Sequence, residues 1–543
     1  MKDYLAAQIA SALRQLGIAL DAPVGFEKPR LEEHGDLTTN IAMLLAKSQK
    51  RNPRQLATEI LNNLSLDSTL VSDVEIAGPG FINFRFTPKF YQQQLQQLMK
   101  ADAHFGRSNT GGGKKTQVEF VSANPTGPLT VGHGRGAVYG DTVANLLEWT
   151  GHAVTREYYF NNAGRQMRVL GDSVRLRYLE LLGEKLPFPE DYYQGEYIRD
   201  IAAHLYAQYG DSLRNEPPEG KFKEQAEREI FDDIKKTLKS LGIVHDVYYN
   251  ENSLYETGKI AELIEEFKKR DLCYESDGAL WLRTSLLGGE KDKVIVKSTG
   301  EPTYRLPDIA YHVDKFRRGF ELIVDIFGAD HIATYPDVLA AVKALGYDTQ
   351  KIKVLIHQFV TITQGGEIVK MSTRKANFIT LDELISEVGA DVVRYFFLMR
   401  SMSAHLNFDL DLAKKQSEEN PVYYVQYAHA RICSIMRKAE EEGKRLLPNP
   451  DLTLLSSQYE LALIKLLLQF PDIVAYCAGT FEIHRMAEYL HDVATVFHKF
   501  YHNCRVVSDE ENLTQARLAL CHATRIVLRN GFSVLGISAP EKM

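Results

Sequence analysis

The sequence predicts an α/β protein: a parallel sheet covered by helices, preceded by a small α+β module and followed by an all-α helical bundle. In the middle of the chain, apolar β-type runs alternate with helical stretches. A shorter segment with both patterns precedes them, and residues 420–543 have the pattern of successive amphipathic helices. A chain of 543 residues is also too long for a single hydrophobic core.

Changes in texture along the chain suggest where to divide it. The flexible, charged segment at 106–115 is a good boundary, and strand-like patterns nearly vanish beyond Leu384. We therefore expect three units, at residues 1–110, 111–415 and 416–543. The charged, helical stretch at about 186–272 interrupts the alternation in the middle unit, and we interpret it as an insertion.

The first unit reads as helices and then strands. Leu5, Ile9, Leu13 and Leu16 recur at helical spacing in an opening helix. Further helices are expected at 39–47 and 53–64, before the strand-like runs VEIAG and FINFRF. This mixture predicts a small α+β module.

The middle unit opens with a strand, a glycine-rich turn and a helix, which read QVEFVSA, GPLTVGHGRG and AVYGDTVANLLEWTG. That order is typical of the start of a Rossmann-like fold. Further β-type runs are VTREYYF, VIVKS, FELIVDIFG and IKVLIHQFV. At the end of the unit, Thr380 and Glu383 have the spacing of a capping box, ahead of a helix through 390–401.

Composition excludes several classes of protein. The net charge of −7 gives no global attraction for nucleic acid, so any such site must be a local patch. The five cysteines form no C-x-x-C pair, which argues against a zinc site or a disulfide scaffold and fits a reducing compartment. No apolar run reaches the roughly 20 residues of a membrane span. We expect a cytoplasmic protein that does not bind membranes.

The turn from Ser122 to His133 is the most informative segment. A glycine-rich turn at a helix N-terminus lets backbone N–H groups approach phosphate, and Gly132, Gly134 and Gly136 leave room for that approach. His133 can add a donor to a phosphate oxygen. The spacing is not that of the dinucleotide fingerprint, and GGGKKT at 111–116 lacks the residue order of a P-loop.

A second motif lies at 368–379, where Lys370, Arg374 and Lys375 place three positive charges within six residues. They lie on a polar loop between a strand and the capped helix. Charge that closes over the phosphates and strengthens in the transition state is what a departing pyrophosphate needs.

Both motifs resemble those of class I aminoacyl-tRNA synthetases. The first is similar to the His-Ile-Gly-His signature, and residues 119–128 resemble the arginyl family in particular. The second is similar to the Lys-Met-Ser-Lys-Ser loop. Two positions depart from the family, Thr130 at the first signature histidine and Thr373 at the second lysine. The resemblance, which covers essentially the whole chain, implies an ATP-dependent arginine–tRNA ligase.

The resemblance also implies site residues. The catalytic residues would be Thr130, His133, Lys370, Arg374 and Lys375. Those that bind ATP would be Gly132, His133, Gly134, Gly328, Asp330, His331, Met371 and Ser372. Those that bind arginine would be Glu119, Ser122, Asn124, Glu251, Tyr304 and Asp308, with Gln166 a weaker candidate. Tyr304 and Asp308 are four residues apart and can share one face of a helical turn.

The expected partners are ATP, arginine and tRNA(Arg), with Mg²⁺ accompanying ATP rather than occupying a dedicated protein site. By resemblance, the N-terminal unit touches the outer corner of the tRNA and the C-terminal bundle binds the anticodon. We expect a monomer. Two alternatives remain open: a catalytically weak or silent tRNA-binding paralogue, supported only by Thr130, and a small-molecule ligase or nucleotidyltransferase, which has no use for residues 420–543.

Overall fold

The N-terminal module is built around a three-stranded antiparallel sheet of order β1-β3-β2. A computed structural model of the chain describes residues 1–20, 22–29, 31–369 and 379–543. Within them the module contains, in chain order, α1 (Lys2–Gln15), β1 (Leu37–Thr39), α2 (Ile41–Gln49), α3 (Pro53–Asn62), β2 (Val71–Ala77) and β3 (Phe81–Phe86). The helix expected from residue 39 begins at Ile41, because the preceding residues pair with β3.

This module has its own hydrophobic core, in which Leu5, Ile9, Leu56 and Phe84 are fully buried. The helix α4 (Pro88–Ala101) follows it and packs against the C-terminal helices. The side-chain amide of Gln92 on α4 donates to the backbone carbonyl of Leu455 over 3.2 Å. The N-terminal module is therefore joined to the C-terminal bundle by polar as well as apolar contacts.

The centre of the molecule is a five-stranded sheet of order β11-β10-β4-β5-β6, and every pair in it is parallel. Its first half comprises β4 (Lys115–Glu119), α5 (Val131–Trp149), β5 (Ala153–Phe160), α6 (Gly164–Leu181), α7 (Glu196–Tyr209), α8 (Lys223–Ser240) and β6 (Val247–Asn250). The parallel, helix-covered sheet confirms the predicted fold class. The strand β6 lies inside the stretch interpreted as an insertion, so part of that stretch belongs to the sheet itself.

A second, small sheet follows and is antiparallel. It is formed after α9 (Asn252–Glu256) and α10 (Lys259–Lys269) by β7 (Cys273–Ser276), β8 (Ala279–Leu282) and β9 (Lys293–Val296). The run VIVKS, expected in the parallel sheet, instead provides β9. A short apolar run does not reveal its pairing partner, because the same pattern suits both kinds of sheet.

The chain returns to the parallel sheet with α11 (Arg305–Arg317), β10 (Leu322–Gly328), α12 (Tyr335–Ala344) and β11 (Ile352–His357). Next come β12 (Val360–Gln364), β13 (Glu367–Ile368), α13 (Leu381–Val388), α14 (Ala390–Leu398) and β14 (Leu406–Asp409). The predicted capping box of Thr380 and Glu383 is present at the start of α13. The strand β14, parallel to β12, lies beyond the point where strand signals were expected to end.

The C-terminal part is helical, as predicted. It contains α15 (Leu410–Ala413), α16 (Pro421–Glu441), α17 (Gln458–Leu467), α18 (Phe470–Thr480), α19 (His484–Asn503) and α20 (Glu511–Leu535). One hydrophobic cluster runs without a break from the central sheet into this bundle. Residues 458–480 are long and apolar enough to cross a membrane by composition, but they fold as α17 and α18 and include the ion-paired Lys465 and Asp472.

Candidate active site

A cavity of about 930 Å³ opens at the carboxyl ends of the parallel strands. Glu119 ends β4, Gly328 ends β10 and His357 ends β11, and all three line the cavity. The strand order reverses at β4, because its connection leads to β5 on one side while β10 lies on the other. The crevice at such a switch point is where parallel α/β sheets bind ligands.

The glycine-rich turn meets this cavity at the N-terminus of α5. Thr130 is the N-cap residue, and its hydroxyl accepts a hydrogen bond from the backbone N–H of His133 over 3.4 Å. In return, Nδ1 of His133 accepts from the backbone N–H of Thr130 over 3.2 Å. The two residues thus form a reciprocal capping box, which satisfies backbone donors that would otherwise be free at the helix end.

The bond that Nδ1 accepts also determines which ring nitrogen of a neutral His133 carries the proton. Burial lowers the pKa of His133, against the attraction of Asp330. A neutral imidazole that accepts at Nδ1 carries its proton on Nε2. His133 lines the cavity, so this nitrogen is available as a hydrogen-bond donor to a ligand there.

The three glycines of the turn have different surroundings. Gly132 and Gly136 line the cavity, as expected of residues that admit a phosphate group. Gly134 is buried on another face of α5, where an added Cβ would lie 2.5 Å from Cδ1 of Leu381. Gly134, which was predicted to bind ATP, is therefore not part of the cavity lining. The absence of a side chain at this position lets α13 approach α5.

The other end of the cavity is acidic. Glu251 follows β6, and its two carboxylate oxygens accept hydrogen bonds from the hydroxyl of Tyr159 and the amide of Asn161, each over 2.7 Å. Asp308 lies in the first turn of α11 and also lines the cavity. Tyr304, four residues earlier, is the N-cap of that helix and is 58% exposed at the same opening. The predicted tyrosine and aspartate therefore share a helical turn.

A buried ion cluster underlies this acidic end. The ammonium group of Lys315 is fully buried and lies 2.6 Å from both Glu119 and Asp325. Nε2 of His312 lies 3.0 Å from the same Asp325. Lys315 and His312 hold the pKa of Asp325 well below its usual range, although burial alone would raise it. Glu119 lines the cavity, and one of its carboxylate oxygens is already paired with the buried Lys315.

The segment after β4 is strained. Val121 and Ser122 have φ values of 71° and 44°, a backbone region that costs energy for residues other than glycine. The strain turns the chain so that the Ser122 hydroxyl donates to Glu119 over 2.9 Å and accepts from the backbone N–H of Tyr159. Asn124, next along, is held at the cavity wall by a bond from its amide to Gln166 over 2.9 Å.

The turn after β10 provides the remaining cavity wall. Gly328, Asp330 and His331 all line it, as predicted for an ATP site. An added Cβ at Gly328 would lie 2.6 Å from Oδ1 of Asp330, so a side chain there would displace the carboxylate. The ring of His331 stacks on Phe327 with centroids 5.0 Å apart.

Five predicted residues of the second motif lie outside the described residues: Lys370, Met371, Ser372, Arg374 and Lys375. The chain that follows them is described and returns directly to the first motif. Ile379 lines the cavity, Thr380 forms a β-bridge with Thr130, and the backbone N–H of Leu381 donates to Leu129 over 2.8 Å.

Several residues at this site were not predicted. Tyr159 and Asn161 orient Glu251, and His357 and Phe359 line the cavity beyond β11. A signal for them existed, because each lies near the carboxyl end of a strand-like run or just beyond it, and those ends reach the same edge of the sheet. No such signal marks Lys315, which lies on an ordinary amphipathic helix pattern.

Comparison with known proteins gives three matches to family models along the chain. Residues 3–86 match the arginyl tRNA synthetase N-terminal domain, 94–395 match the class I (R) tRNA synthetase catalytic domain, and 425–543 match the DALR anticodon-binding domain. The arginine–tRNA ligase of Chlorobaculum parvum is 51% identical over the full length of both chains. That of Desulfotalea psychrophila is 53% identical over 95% of this chain and 94% of its own.

Among solved structures, the arginyl-tRNA synthetase of Thermus thermophilus superposes with a TM-score of 0.76 over 100% of both chains, at 23% identity. The parallel sheet, the capped glycine-rich turn and the catalytic-domain match together define a class I aminoacyl-tRNA synthetase. Within that class, the chain belongs to the arginyl-tRNA synthetase family. The predicted function of arginine–tRNA ligase is confirmed, and the alternative of a silent paralogue gains no support from these relatives.

Proposed function

We propose that this one cavity binds both ATP and arginine, end to end. The enzyme joins them there as arginyl-adenylate and then transfers the arginine to the 3′ end of tRNA(Arg). One observation carries this: the same cavity is lined by His133 and Gly132 of the capped helix and by the acidic residues Glu251 and Asp308. The first end suits phosphates and the second suits a guanidinium, so a carboxylate bound between them meets the α-phosphorus of ATP.

At the phosphate end, catalysis is positioning and charge stabilisation rather than covalent chemistry. The carboxylate of arginine attacks the α-phosphorus and pyrophosphate leaves. The Nε2–H of His133 and the N-terminus of α5 donate to phosphate oxygens, and Gly328, Asp330 and His331 hold the nucleoside. The triphosphate oxygens are hard ligands of the kind that Mg²⁺ prefers, so a bound Mg²⁺ would accompany ATP and offset part of its charge.

At the acidic end, the planar guanidinium lies against Glu251 and Asp308, with Tyr304 at the rim. Glu251 is held by two donors of its own, so its orientation is fixed before the substrate arrives. Asn124 and Ser122, on the strained segment, face the backbone amine and carboxylate of the substrate. A polar pocket built for a planar fork of donors rejects lysine, which leaves part of the pocket unsatisfied.

The second motif supplies the remaining positive charge. Lys370, Arg374 and Lys375 close over the departing pyrophosphate, together with Met371 and Ser372, from a segment whose end adjoins Thr130. Either Arg374 or Lys375 takes the place of the second family lysine. The hydroxyl of the terminal tRNA ribose then attacks the adenylate carbonyl, its proton passes to the leaving phosphate, and AMP departs.

We assign to the three units of the chain the roles that the sequence predicts. Residues 1–110 contact the tRNA, 111–415 carry the chemistry and 416–543 bind the anticodon. The protein acts as a monomer in the cytoplasm. The five cysteines, all free and buried among the described residues, fit that reducing compartment.

A charging assay tests the proposal. The full-length protein, ATP, Mg²⁺ and unfractionated tRNA are incubated with each of the twenty amino acids in turn. Arginine alone should become esterified to tRNA, and pyrophosphate exchange into ATP should require arginine and tRNA together. Adenylation of a small molecule without any tRNA requirement would instead favour the small-molecule ligase.

A further inference from the structure

Asp308 differs from the other carboxylates at the acidic end of the cavity. Each of them is held by at least two donors: Glu119 by Ser122 and Lys315, Asp325 by His312 and Lys315, and Glu251 by Tyr159 and Asn161. Among the described residues, by contrast, none donates a hydrogen bond to the carboxylate of Asp308. It faces the cavity, so its hydrogen-bond partner there is solvent or a ligand.

His312 lies beneath the pocket, between two oxygen atoms. Its Nδ1 lies 2.7 Å from the backbone carbonyl of Asp308, and its Nε2 lies 3.0 Å from Oδ2 of Asp325. Both partners are acceptors, since the low pKa of Asp325 keeps that carboxylate ionised. Each ring nitrogen of His312 therefore faces an acceptor.

The charges of the described residues at this end do not balance. Glu119, Glu251, Asp308 and Asp325 can supply four negative charges, while Lys315 supplies one positive charge and His312 can supply at most one more. Asp308 is half-buried beside other carboxylates, and a carboxylate so placed takes up a proton more readily when no cation reaches it. Of these four carboxylates, Asp308 is the one to which no described residue donates a hydrogen bond, so we place the proton on Asp308.

The surroundings of Asp308 act in the same direction. Burial, together with the negative charges of Glu119 and Glu251, raises the pKa of Asp308 to about 7, while His312 and Lys315 partly oppose the rise. Among the described residues, two tyrosines also interact with it, Tyr159 on β5 and Tyr255 on α9, and their own pKa values are raised by burial and by these acids.

We propose that arginine enters this pocket in exchange for a proton held by the carboxyl group of Asp308. When no arginine is bound, the proton removes one negative charge that no other described residue neutralises. The guanidinium brings a permanent positive charge to the same carboxylate, so the O–H bond breaks and the proton passes to solvent. Lys315 and His312 act as positioning residues, because they neutralise Glu119 and Asp325 and leave Asp308 for the substrate.

This exchange also bears on specificity. Citrulline has the shape of arginine but carries a neutral ureido group, so it gives no reason for the proton to leave. A protonated Asp308 donates a hydrogen bond to the ureido oxygen, whereas the ionised form cannot donate. Lower pH should therefore weaken arginine binding and favour citrulline relative to arginine.

The inference rests on the proposed arginine site, and calorimetry separates the two. Arginine is titrated into the full-length protein in buffers of different ionisation enthalpy, and the dependence of the observed heat on that enthalpy gives the number of protons released. We expect about one proton at pH 6, about half at pH 7 and nearly none at pH 8. The dissociation constant should be about tenfold higher at pH 6 than at pH 8.

A variant pair identifies the source of the proton. Asp308→Asn keeps the size of the side chain and cannot titrate, so its residual binding should release no proton and should vary little with pH. Asp472→Asn, at an exposed position of α18 outside the cavity lining, should release as many protons as the unaltered protein. Citrulline should gain affinity relative to arginine in Asp308→Asn, because the side-chain amide of the asparagine can donate a hydrogen bond to the ureido oxygen of citrulline.

Three results would overturn the inference while leaving the proposed function intact: arginine binding at pH 6 without proton release, undiminished release from Asp308→Asn, or an affinity for arginine that does not change between pH 6 and pH 8. Absence of any arginine binding would instead contradict the proposed function, and the inference would fall with it.

Discussion

Thr130 and His133 hold each other in place at the start of α5. The backbone N–H of Thr130 donates to Nδ1 of His133 over 3.2 Å, and the hydroxyl of Thr130 accepts from the backbone N–H of His133 over 3.4 Å. The threonine that replaces the first signature histidine of the family thus supplies a strong helix cap. Its effect on the reaction passes through the orientation of His133.

Removing this cap should slow the reaction. Thr130→Val preserves the shape of the side chain but removes the hydroxyl, which costs about 1 kcal/mol of capping energy. We expect kcat for tRNA-dependent pyrophosphate exchange to fall roughly tenfold, with little change in KM for arginine, whose pocket is at the other end. Thr130→Ser, which retains the hydroxyl, is the matched control. Equal activity of both variants would show that the cap does not position His133.

His133 itself should matter more. His133→Ala removes the donor aimed at the phosphates, and losing such a donor commonly lowers kcat by about 10²–10³. A stopped-flow measurement of adenylate formation in the presence of tRNA tests this. His331→Ala is the comparison, since that ring lies on the exposed turn after β10 and stacks on Phe327. We expect it to raise KM for ATP more than it lowers kcat.

When no arginine is bound, the carboxylate of Asp308 should lower the stability of the folded protein at high pH. Its pKa of about 7 in the folded chain exceeds the unfolded value of about 3.9, so the folded state binds more protons between those values. Stability is therefore lost as pH rises through that window. Asp308→Asn should be more stable than the unaltered protein by about 4 kcal/mol at pH 8, with little difference near pH 4. Denaturant unfolding at both pH values measures this, and a variant no more stable at pH 8 would contradict it.

Gly134 offers a test of packing against phosphate binding. In Gly134→Ala the new Cβ would lie 2.5 Å from Leu381, and overpacking of this kind costs about 1–3 kcal/mol. We expect a lower midpoint of thermal unfolding and partial relief in the double variant with Leu381→Ala. If Gly134 instead admits a phosphate group, KM for ATP should rise while the unfolding midpoint stays unchanged.

Arg394 joins three parts of the molecule. Its guanidinium is buried and bonds to Asp141 on α5, to the carbonyl of Leu241 after α8 and to the carbonyl of Leu535 at the end of α20. Arg394→Met leaves Asp141 and two carbonyls without this partner, which should cost about 3–5 kcal/mol. Lys2→Ala, which breaks only the exposed pair with Asp472, should cost less than about 1 kcal/mol. Comparable losses in the two variants would contradict a joining role.

The sequence carried the parts of the site that local chemistry specifies. The turn ending at His133 was recognisable because glycine spacing and a helix start have local signals, and Tyr304 and Asp308 do share a helical turn. The strand β6 was not recognisable, because one valine, two tyrosines and an asparagine inside a helical stretch give no apolar run. Lys315 resembles a surface lysine until the sheet covers it, since burial depends on tertiary contacts.

The most direct test of the account is a crystal structure of the protein with a non-hydrolysable analogue of arginyl-adenylate. We expect the guanidinium within hydrogen-bonding distance of Asp308 and Glu251, the adenosine against the turn from Gly328 to His331, and the phosphate position facing Nε2 of His133. An analogue bound elsewhere, or bound here with its guanidinium away from Asp308, would contradict the account.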